Sequence, residues 1–382
     1  MPKIDLPYYK RHDLLKQVMT ILTSGLKSSV TLFAHRRQGK TAFIDHELLP
    51  EAFRRGWQGV YINLWRRRSE PELALVEGLE AAVAELGPEK VHGKWKLQKA
   101  RAAVKVGMTG VEVGAAVEAE RGSQVDPSRP LENRLASAID NLVGEPILLL
   151  VFDEFQALAG SDQDDFVAAL RTALARHEGE VLVFYTGSSR AGLNTMFQRQ
   201  RAPLFASSMP IDLPVLGRGF VVSRAELLKR RTGIEADIGA MDRLFGKVLR
   251  TPEFMNEITL WLMVYAHNGD TAELDRAYRE WLVRLRDTAI GHTLATLAPV
   301  REGVMLLLAD TGHPGLFSAQ AHAWIQNYVG ARADVTKSKI QAAIRWLQRN
   351  GLVVPMDGGV TRDYEVDDYA ARIYLRERVR SR

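Results

Sequence analysis

Over its first two thirds the chain alternates between uninterrupted apolar runs and amphipathic stretches, and it then becomes almost wholly helical in pattern. Residues 8–24 carry Leu14, Leu15, Val18, Ile21 and Leu22 at helical spacing with polar residues between them. Val30, Leu32 and Phe33 form a short apolar run, and a second helical pattern opens at Thr41-Ala42-Phe43-Ile44. Further apolar runs lie at Gly59–Leu64, Pro146–Phe152, Val181–Thr186 and Met209–Leu213. Helix-like segments fall between them at 71–87, at Asp164–Arg176 and through Met196–Gln200. Runs that do not alternate read as strands buried on both faces. The pattern therefore predicts an α/β fold, a parallel sheet between helices.

Residues 90–125 break the pattern. KVHGKWKLQKARAAVKVG is basic, and VKVGMTGVEVGAAVEAE alternates like a hairpin. This reads as an insertion spanning 90–130 that faces DNA or another subunit, or serves as a flap. Residues 220–295 are helical throughout. After them, helices at 297–310 and 317–329 precede a polar helical stretch within Asp334–Gly351. In that helix Ile340, Ala343, Ile344 and Leu347 form one face, and Lys337, Gln341, Arg345 and Gln348 the other. Leu352–Val354, a turn at Asp357-Gly358-Gly359 and Thr361–Val366 read as a two-stranded wing. Helix, helix, polar helix and hairpin predict a winged helix-turn-helix. The expected domains are a nucleotide-binding core at 1–218, a helical lid at 219–296 and the winged helix at 297–382.

Composition narrows the chemistry. The chain has 382 residues, 46% of them hydrophobic and 25% charged, and no cysteine. Disulfides, thiol nucleophiles and thiolate metal sites are thereby excluded. The N-terminal stretch lacks the apolar core of a signal peptide and no run approaches a membrane span, so a soluble, cytoplasmic protein is expected. The net charge is +5, which favours an acidic partner such as nucleic acid. Residues 331–382 hold 11 Lys/Arg against 7 Asp/Glu, so much of the surplus lies in the expected winged helix. Its polar face (Lys337, Gln341, Arg345, Gln348), with Arg362 in the wing, consists of residue types that contact phosphates and base edges of duplex DNA. Winged helices also dock proteins, and a protein effector in place of DNA is the alternative.

The candidate chemistry centres on Ala34-His35-Arg36-Arg37-Gln38-Gly39-Lys40-Thr41. This matches the phosphate-loop pattern G-x-x-x-x-G-K-[ST], with Ala34 in the place of the first glycine. A loop between strand and helix aims successive backbone N–H groups, here Arg37 to Ala42, at a polyphosphate. Lys40 would reach the β- and γ-phosphates of ATP, and the Thr41 hydroxyl would bind Mg²⁺. The apolar run 146–152 ends in Asp153-Glu154, at the strand end where parallel sheets bind ligands. Asp153 fits the Mg²⁺ shell and Glu154 the polarisation of the attacking water. Thr186 and Ser188, at the next strand's end, would lie beside the γ-phosphate. Arg190, Arg199 and Arg201 would either bridge to a neighbour's nucleotide in a homo-oligomer or be plain surface charges. Trp65-Arg66-Arg67-Arg68 is either a phosphate contact or a solvated turn. The nine histidines show no metal-binding spacing, and Gly187-Ser188-Ser189 is not a nucleophile elbow.

Four stretches together resemble the archaeal-type ATPases of the STAND branch, kin of the AAA+ ATPases. They are Tyr8-Tyr9-Lys10-Arg11-His12-Asp13-Leu14-Leu15, the phosphate loop, Val151-Phe152-Asp153-Glu154-Phe155-Gln156 and Gly187-Ser188-Ser189. The likeness covers roughly residues 8–260. It implies Arg11 near the nucleotide base and Asp153 and Glu154 as metal and water residues. Arg250-Thr251-Pro252 resembles the lid's G-x-P signature, with Pro252 at the nucleotide. The sequence departs from the family at Lys10, Ala34, His35 and Arg250. Ala34 places a Cβ at a tight turn, so turnover is expected to be slow. With the basic winged helix, the resemblance implies a nucleotide-dependent DNA-binding switch in replication, transposition or a mobile-element or defence setting. An inactive nucleotide-binding scaffold, or a signalling ATPase docking a protein effector, are the other readings.

Overall fold

The uninterrupted apolar runs become the strands of one parallel sheet in the computed structural model of the chain. The structure describes residues 7–86, 104–106, 128–310, 315–355 and 364–380. These fall into two units, one of Lys10–Ala34 and Lys40–Pro214, the other of Met1–Tyr9, His35–Gly39 and Val215–Arg382.

The first unit holds β1 (Ser29–Phe33), β2 (Gln58–Asn63), β3 (Val104–Val106), β4 (Leu148–Asp153), β5 (Val181–Gly187) and β6 (Met209–Asp212). Their order across the sheet is β3-β2-β4-β5-β1-β6, and every neighbouring pair is parallel. Alternate residues of the central strands enter two different cores. Leu148, Leu150 and Phe152 face Val183, Tyr185 and the helices Pro71–Leu86, Leu131–Leu142 and Asp164–Ala175. Leu149 and Val151 face Phe184, Leu32, Phe43 and the helix His12–Thr23. Covering both faces is why these strands show no polar alternation.

Two sequence expectations change. The stretch after the phosphate loop reads as one amphipathic helix, but Lys40–Phe43 and Leu49–Arg54 are joined by a π-turn at Ile44–Leu48. Pro50 lacks the N–H that would continue the i→i−4 ladder there. Of the expected hairpin in the 90–130 insertion, Val104–Val106 pairs in parallel with β2; residues 87–103 and 107–127 lie outside the described residues.

The second unit is helical apart from one hairpin. Arg218–Thr232, Ile238–Lys247, Pro252–Tyr265 and Thr271–Arg286 pack around Phe220, Phe245, Phe254 and Trp281. Their ends carry clear signals. Asp237 and Asp270 cap helix starts by accepting from Ala240 N and Glu273 N, and Gly233 closes a helix at φ +78°. A further core gathers Pro299–Ala309, Ala319–Val329 and Lys337–Arg349, with Ile340, Ala343, Ile344 and Leu347 buried. β7 (Val353–Pro355) pairs antiparallel with β8 (Tyr364–Val366). The turn expected at Asp357-Gly358-Gly359, and Arg362, lie outside the described residues. The basic tail forms the helix Tyr369–Arg380, whose Arg376 donates to the Ala309 carbonyl (2.8 Å) and whose Arg378 pairs with Glu302 (2.6 Å). These contacts dock it on the helix Pro299–Ala309.

Leu150 is fully buried in β4, the strand that carries the acidic pair. Leu150→Ala is expected to cost about 2–5 kcal/mol by lost burial and cavity formation, read as a lowered denaturation midpoint with an unchanged m-value.

Candidate functional site

Parallel strands bring their C-terminal ends to one edge, and the order β4-β5-β1 places the end of β5 between the acidic strand and the strand leading into the phosphate loop. Backbone bonds hold these ends in register. Ala34 N donates to Gly187 O (3.2 Å), and Leu213 N to Phe33 O (2.9 Å). At Gly187 a Cβ would meet Gln156 Oε1 and the Leu193 methyl, so a side chain there would displace the Gln156 amide.

Five sequence-predicted residues of the first unit come together at this edge, Lys40, Thr41, Asp153, Glu154 and Ser188. The Lys40 side chain is only 6% exposed, and its Nζ donates to Ala34 O (3.2 Å) and to Glu154 Oε1 (3.3 Å). Thr41 Oγ1 donates to Asp153 Oδ2 (3.3 Å). The other Glu154 oxygen accepts from Ser188 Oγ (2.7 Å) and Gln156 Nε2 (2.6 Å), and Gln156 Nε2 also reaches Ser188 Oγ (3.2 Å). Glu154 holds this position in the left-handed backbone region, at φ 57° and ψ 39°. For a residue with a Cβ this costs about 1 kcal/mol, a strain typical of functional positions.

The two carboxyls are pushed apart in acidity. Burial opposes ionisation of Glu154, but the Lys40 charge and the hydrogen bonds from Gln156 and Ser188 outweigh it and hold this carboxyl below the usual range. Burial and the adjacent Glu154 charge push Asp153 upward, against the counter-effects of Lys40 and of hydrogen bonds from Tyr61 and the Glu154 N–H. One carboxylate is thus kept ionised beside an ammonium while its neighbour is poised to gain from a cation.

The donor chemistry fits a nucleotide-bound Mg²⁺. Thr41 and Asp153 offer two hard oxygens side by side, and Mg²⁺ in phosphate sites takes one or two protein oxygens plus phosphate and water. Among the described residues no group of three or more His, Asp or Glu stands together as a protein-only metal cage.

The remaining predicted residues are placed as follows. Arg11 is 8% exposed; its N–H donates to Glu47 Oε1 (2.5 Å) and its guanidinium to the Pro214 carbonyl. Ala42 is half-buried in the helix that opens at Lys40. Ser188 is buried, and Thr186 is fully buried with no hydrogen-bond partner for its hydroxyl among the described residues. Arg190 pairs with Asp212 (2.6 Å) and covers the Phe33 ring, and Arg199 pairs with Asp164 (3.2 Å). Arg201 is exposed. In the Trp65–Arg68 cluster, Arg67 pairs with Glu70 and Glu77 and Arg68 covers Trp65.

In the second unit, the loop residues 35–39 meet the start of the helix Pro252–Tyr265. Gln38 Nε2 donates to Thr251 Oγ1 (3.4 Å), and Arg37 pairs with Glu253 (3.3 Å) and lies over the Phe254 ring. Pro252, buried, occupies the first helical turn. The His35 ring stacks on Tyr369, with centroids 4.5 Å apart. Arg250 has φ +49°, which gives the glycine of the G-x-P signature its physical reason. Here the arginine is held by Asp242 (3.2 Å) and lies over Phe245. Lys337, Gln341 and Arg345 are exposed on the helix Lys337–Arg349 and Gln348 is half-exposed, opposite the buried face.

Sequence reasoning assigned no role to Tyr61 or Gln156. Tyr61 donates to Asp153 Oδ2 (2.7 Å) from within the sheet. Its signal was the polar pair Tyr61 and Asn63, two residues apart at the end of the strand.

Two solved structures of the same fold put this site in context. The Walker-type ATPase PABY2304 of Pyrococcus abyssi superposes with a TM-score of 0.62 at 15% identity, over 97% of this chain and 96% of that one. The Aeropyrum pernix ORC2 protein in its ADP form gives 0.56 at 13% identity, over 100% and 97%. No family model matches the chain, and no curated protein does. The shared fold is a parallel sheet among helices.

The left-handed backbone of the phosphate loop falls at Arg37 (φ 66°) and Gly39 (φ 89°), not at Ala34. The Ala34 methyl therefore imposes no backbone strain. Ala34→Gly is expected to leave nucleotide affinity within about threefold and to lower stability by about 0.4–1 kcal/mol through the unfolded chain. Parallel nucleotide titrations and thermal melts check this; a tenfold gain in affinity would contradict it.

Proposed function

We propose that the chain binds ATP with Mg²⁺, hydrolyses it, and uses its nucleotide state to set the DNA affinity of a C-terminal winged helix. The observation that carries this reading is the buried set in which Lys40 meets Glu154 and Thr41 meets Asp153 at neighbouring strand ends. ATP and Mg²⁺, when bound, supply the phosphoryl group and the cation that neutralises its charge. Lys40 then binds phosphate oxygens, with Ala34 O fixing its ammonium from behind. Thr41 and Asp153 hold the cation. Glu154 orients the attacking water, and Ser188 and Gln156 fix its carboxylate through the oxygen that Lys40 does not use. Arg11, Arg37, Gln38, Gly39, Ala42, Thr186 and Pro252 complete the proposed nucleotide contacts.

Residues 1–218 act as the core, 219–296 as the lid and 297–382 as the winged helix. The exposed face Lys337, Gln341, Arg345 and Gln348, on a helix followed by an antiparallel hairpin, supports a major-groove contact to duplex DNA, with Arg362 on the wing. Homo-oligomerisation on ATP binding would draw on Arg201, since Arg190 and Arg199 already pair with acids of their own chain. No helix among the described residues is long and apolar enough to cross a membrane, and we place the protein in the cytoplasm.

Duplex DNA binding measured with ATP, with ADP and without nucleotide, at two salt concentrations, tests the switch. Affinity is expected to rise with ATP and fall steeply with salt. The double variant Lys337→Glu, Arg345→Glu is expected to lose binding in every state while keeping nucleotide affinity. Wild-type protein that binds no DNA in any state would overturn the DNA role and favour a protein effector at the same face.

A further inference from the structure

Past Gln58 at its start, the polar groups of β2 are Tyr61 and Asn63, which share one face near its C-terminal end. Tyr61 is 1% exposed and packs among Leu149, Val151 and Phe184. A phenol so deeply buried needs a partner for its hydroxyl. Its O–H donates to Asp153 Oδ2 at 2.7 Å, a charge-assisted length, while Thr41 donates to the same oxygen from 3.3 Å. The second carboxylate oxygen accepts from Glu154 N at 3.0 Å.

The direction of the phenol proton follows from Asn63. Its Oδ1 is committed to Trp65 N (2.8 Å), so its Nδ2 faces the Tyr61 oxygen (3.4 Å) and can only donate. The phenol oxygen is thereby an acceptor toward Asn63, and its single proton goes to Asp153. Backbone, amide, phenol and carboxylate thus form a directed chain that ends on the oxygen Thr41 uses.

A hydroxyl that ligates a cation through a lone pair must give its proton to some other acceptor. For Thr41 that acceptor is Asp153 Oδ2. A carboxylate free to turn about its Cβ–Cγ bond would present this oxygen only part of the time.

We propose that Tyr61 is a positioning residue for the Mg²⁺ pair, fixing the Asp153 carboxylate so that Oδ2 stays available to Thr41. The proposal rests on the reading of Thr41 and Asp153 as the cation-holding pair. Tyr61 contacts Asp153 and Asn63 through its hydroxyl. It acts through Asp153, as partners one step removed from a metal commonly do, with effects of about 10–100-fold on metal affinity when they are lost.

The test is Tyr61→Phe in the full chain, which keeps the ring in its core and removes one oxygen. Binding of a fluorescent ATP analogue is followed while Mg²⁺ is titrated and again in excess EDTA, with thermal melts in EDTA as a measure of folding. The expected result is a rise of about tenfold in the Mg²⁺ concentration at half-effect, with affinity in EDTA within twofold of wild type. An unchanged Mg²⁺ requirement would overturn the proposal. So would an equal loss of affinity with and without Mg²⁺, because a merely structural tyrosine would weaken both alike. Wild-type protein that binds the analogue in neither condition would instead remove the nucleotide reading, and this inference with it.

Discussion

The buried ion pair of Lys40 and Glu154 is the interaction on which the site depends. With side chains 6% and 10% exposed, both groups have given up most of their hydration, a cost of several kcal/mol per ion. Their mutual attraction offsets that cost only because further bonds satisfy what remains. Ala34 O takes a second lysine proton, while Ser188 and Gln156 serve the second carboxylate oxygen. Removing either charged partner would strand the other in the sheet edge, typically at 3–5 kcal/mol. The pair is possible at all because the strand order sets β5 between β1 and β4. β5 contributes the glycine that leaves room for Gln156, and Ser188 follows directly.

Left-handed backbone strains Glu154 and, in the second unit, three further residues. Glu154 and Arg37 both adopt left-handed backbone, a conformation that glycine would take without penalty. Each has compensating contacts: Glu154 the bonds just described, Arg37 the Glu253 pair and the Phe254 ring. The adjacent Leu249 and Arg250 repeat the pattern immediately before the helix Pro252–Tyr265. Asp153 adds a different constraint. It accepts three hydrogen bonds in near-complete burial, so its orientation is fixed before any cation arrives.

The sheet was legible because its strands are buried on both faces, and runs such as Leu148–Phe152 have no other comfortable fate. The phosphate loop was legible because backbone geometry dictates its spacing. Lys40 meets Glu154 and Thr41 meets Asp153 across more than 110 residues of sequence. Other features lay beyond sequence reasoning for physical reasons. The π-turn at Ile44–Leu48 depends on how one proline is accommodated inside an otherwise regular pattern. Tyr61 reads as a strand former, because its hydroxyl gains meaning only from a carboxylate 92 residues away. The docking of the basic tail depends on Glu302 and the Ala309 carbonyl, which no local pattern connects to Arg376 and Arg378. For Arg190 and Arg199, charge alone was visible, and their partners Asp212 and Asp164 emerged with the fold.

The most direct test of the central claim compares wild type with Glu154→Gln for ATP binding and for phosphate release. The amide preserves the shape of the side chain and removes the charge that would orient and polarise water. The account requires measurable turnover in wild type and a variant that binds ATP within a few-fold of it while hydrolysis falls by about a hundredfold or more. A variant that hydrolyses ATP at the wild-type rate would contradict it, as would a wild-type protein that binds no ATP.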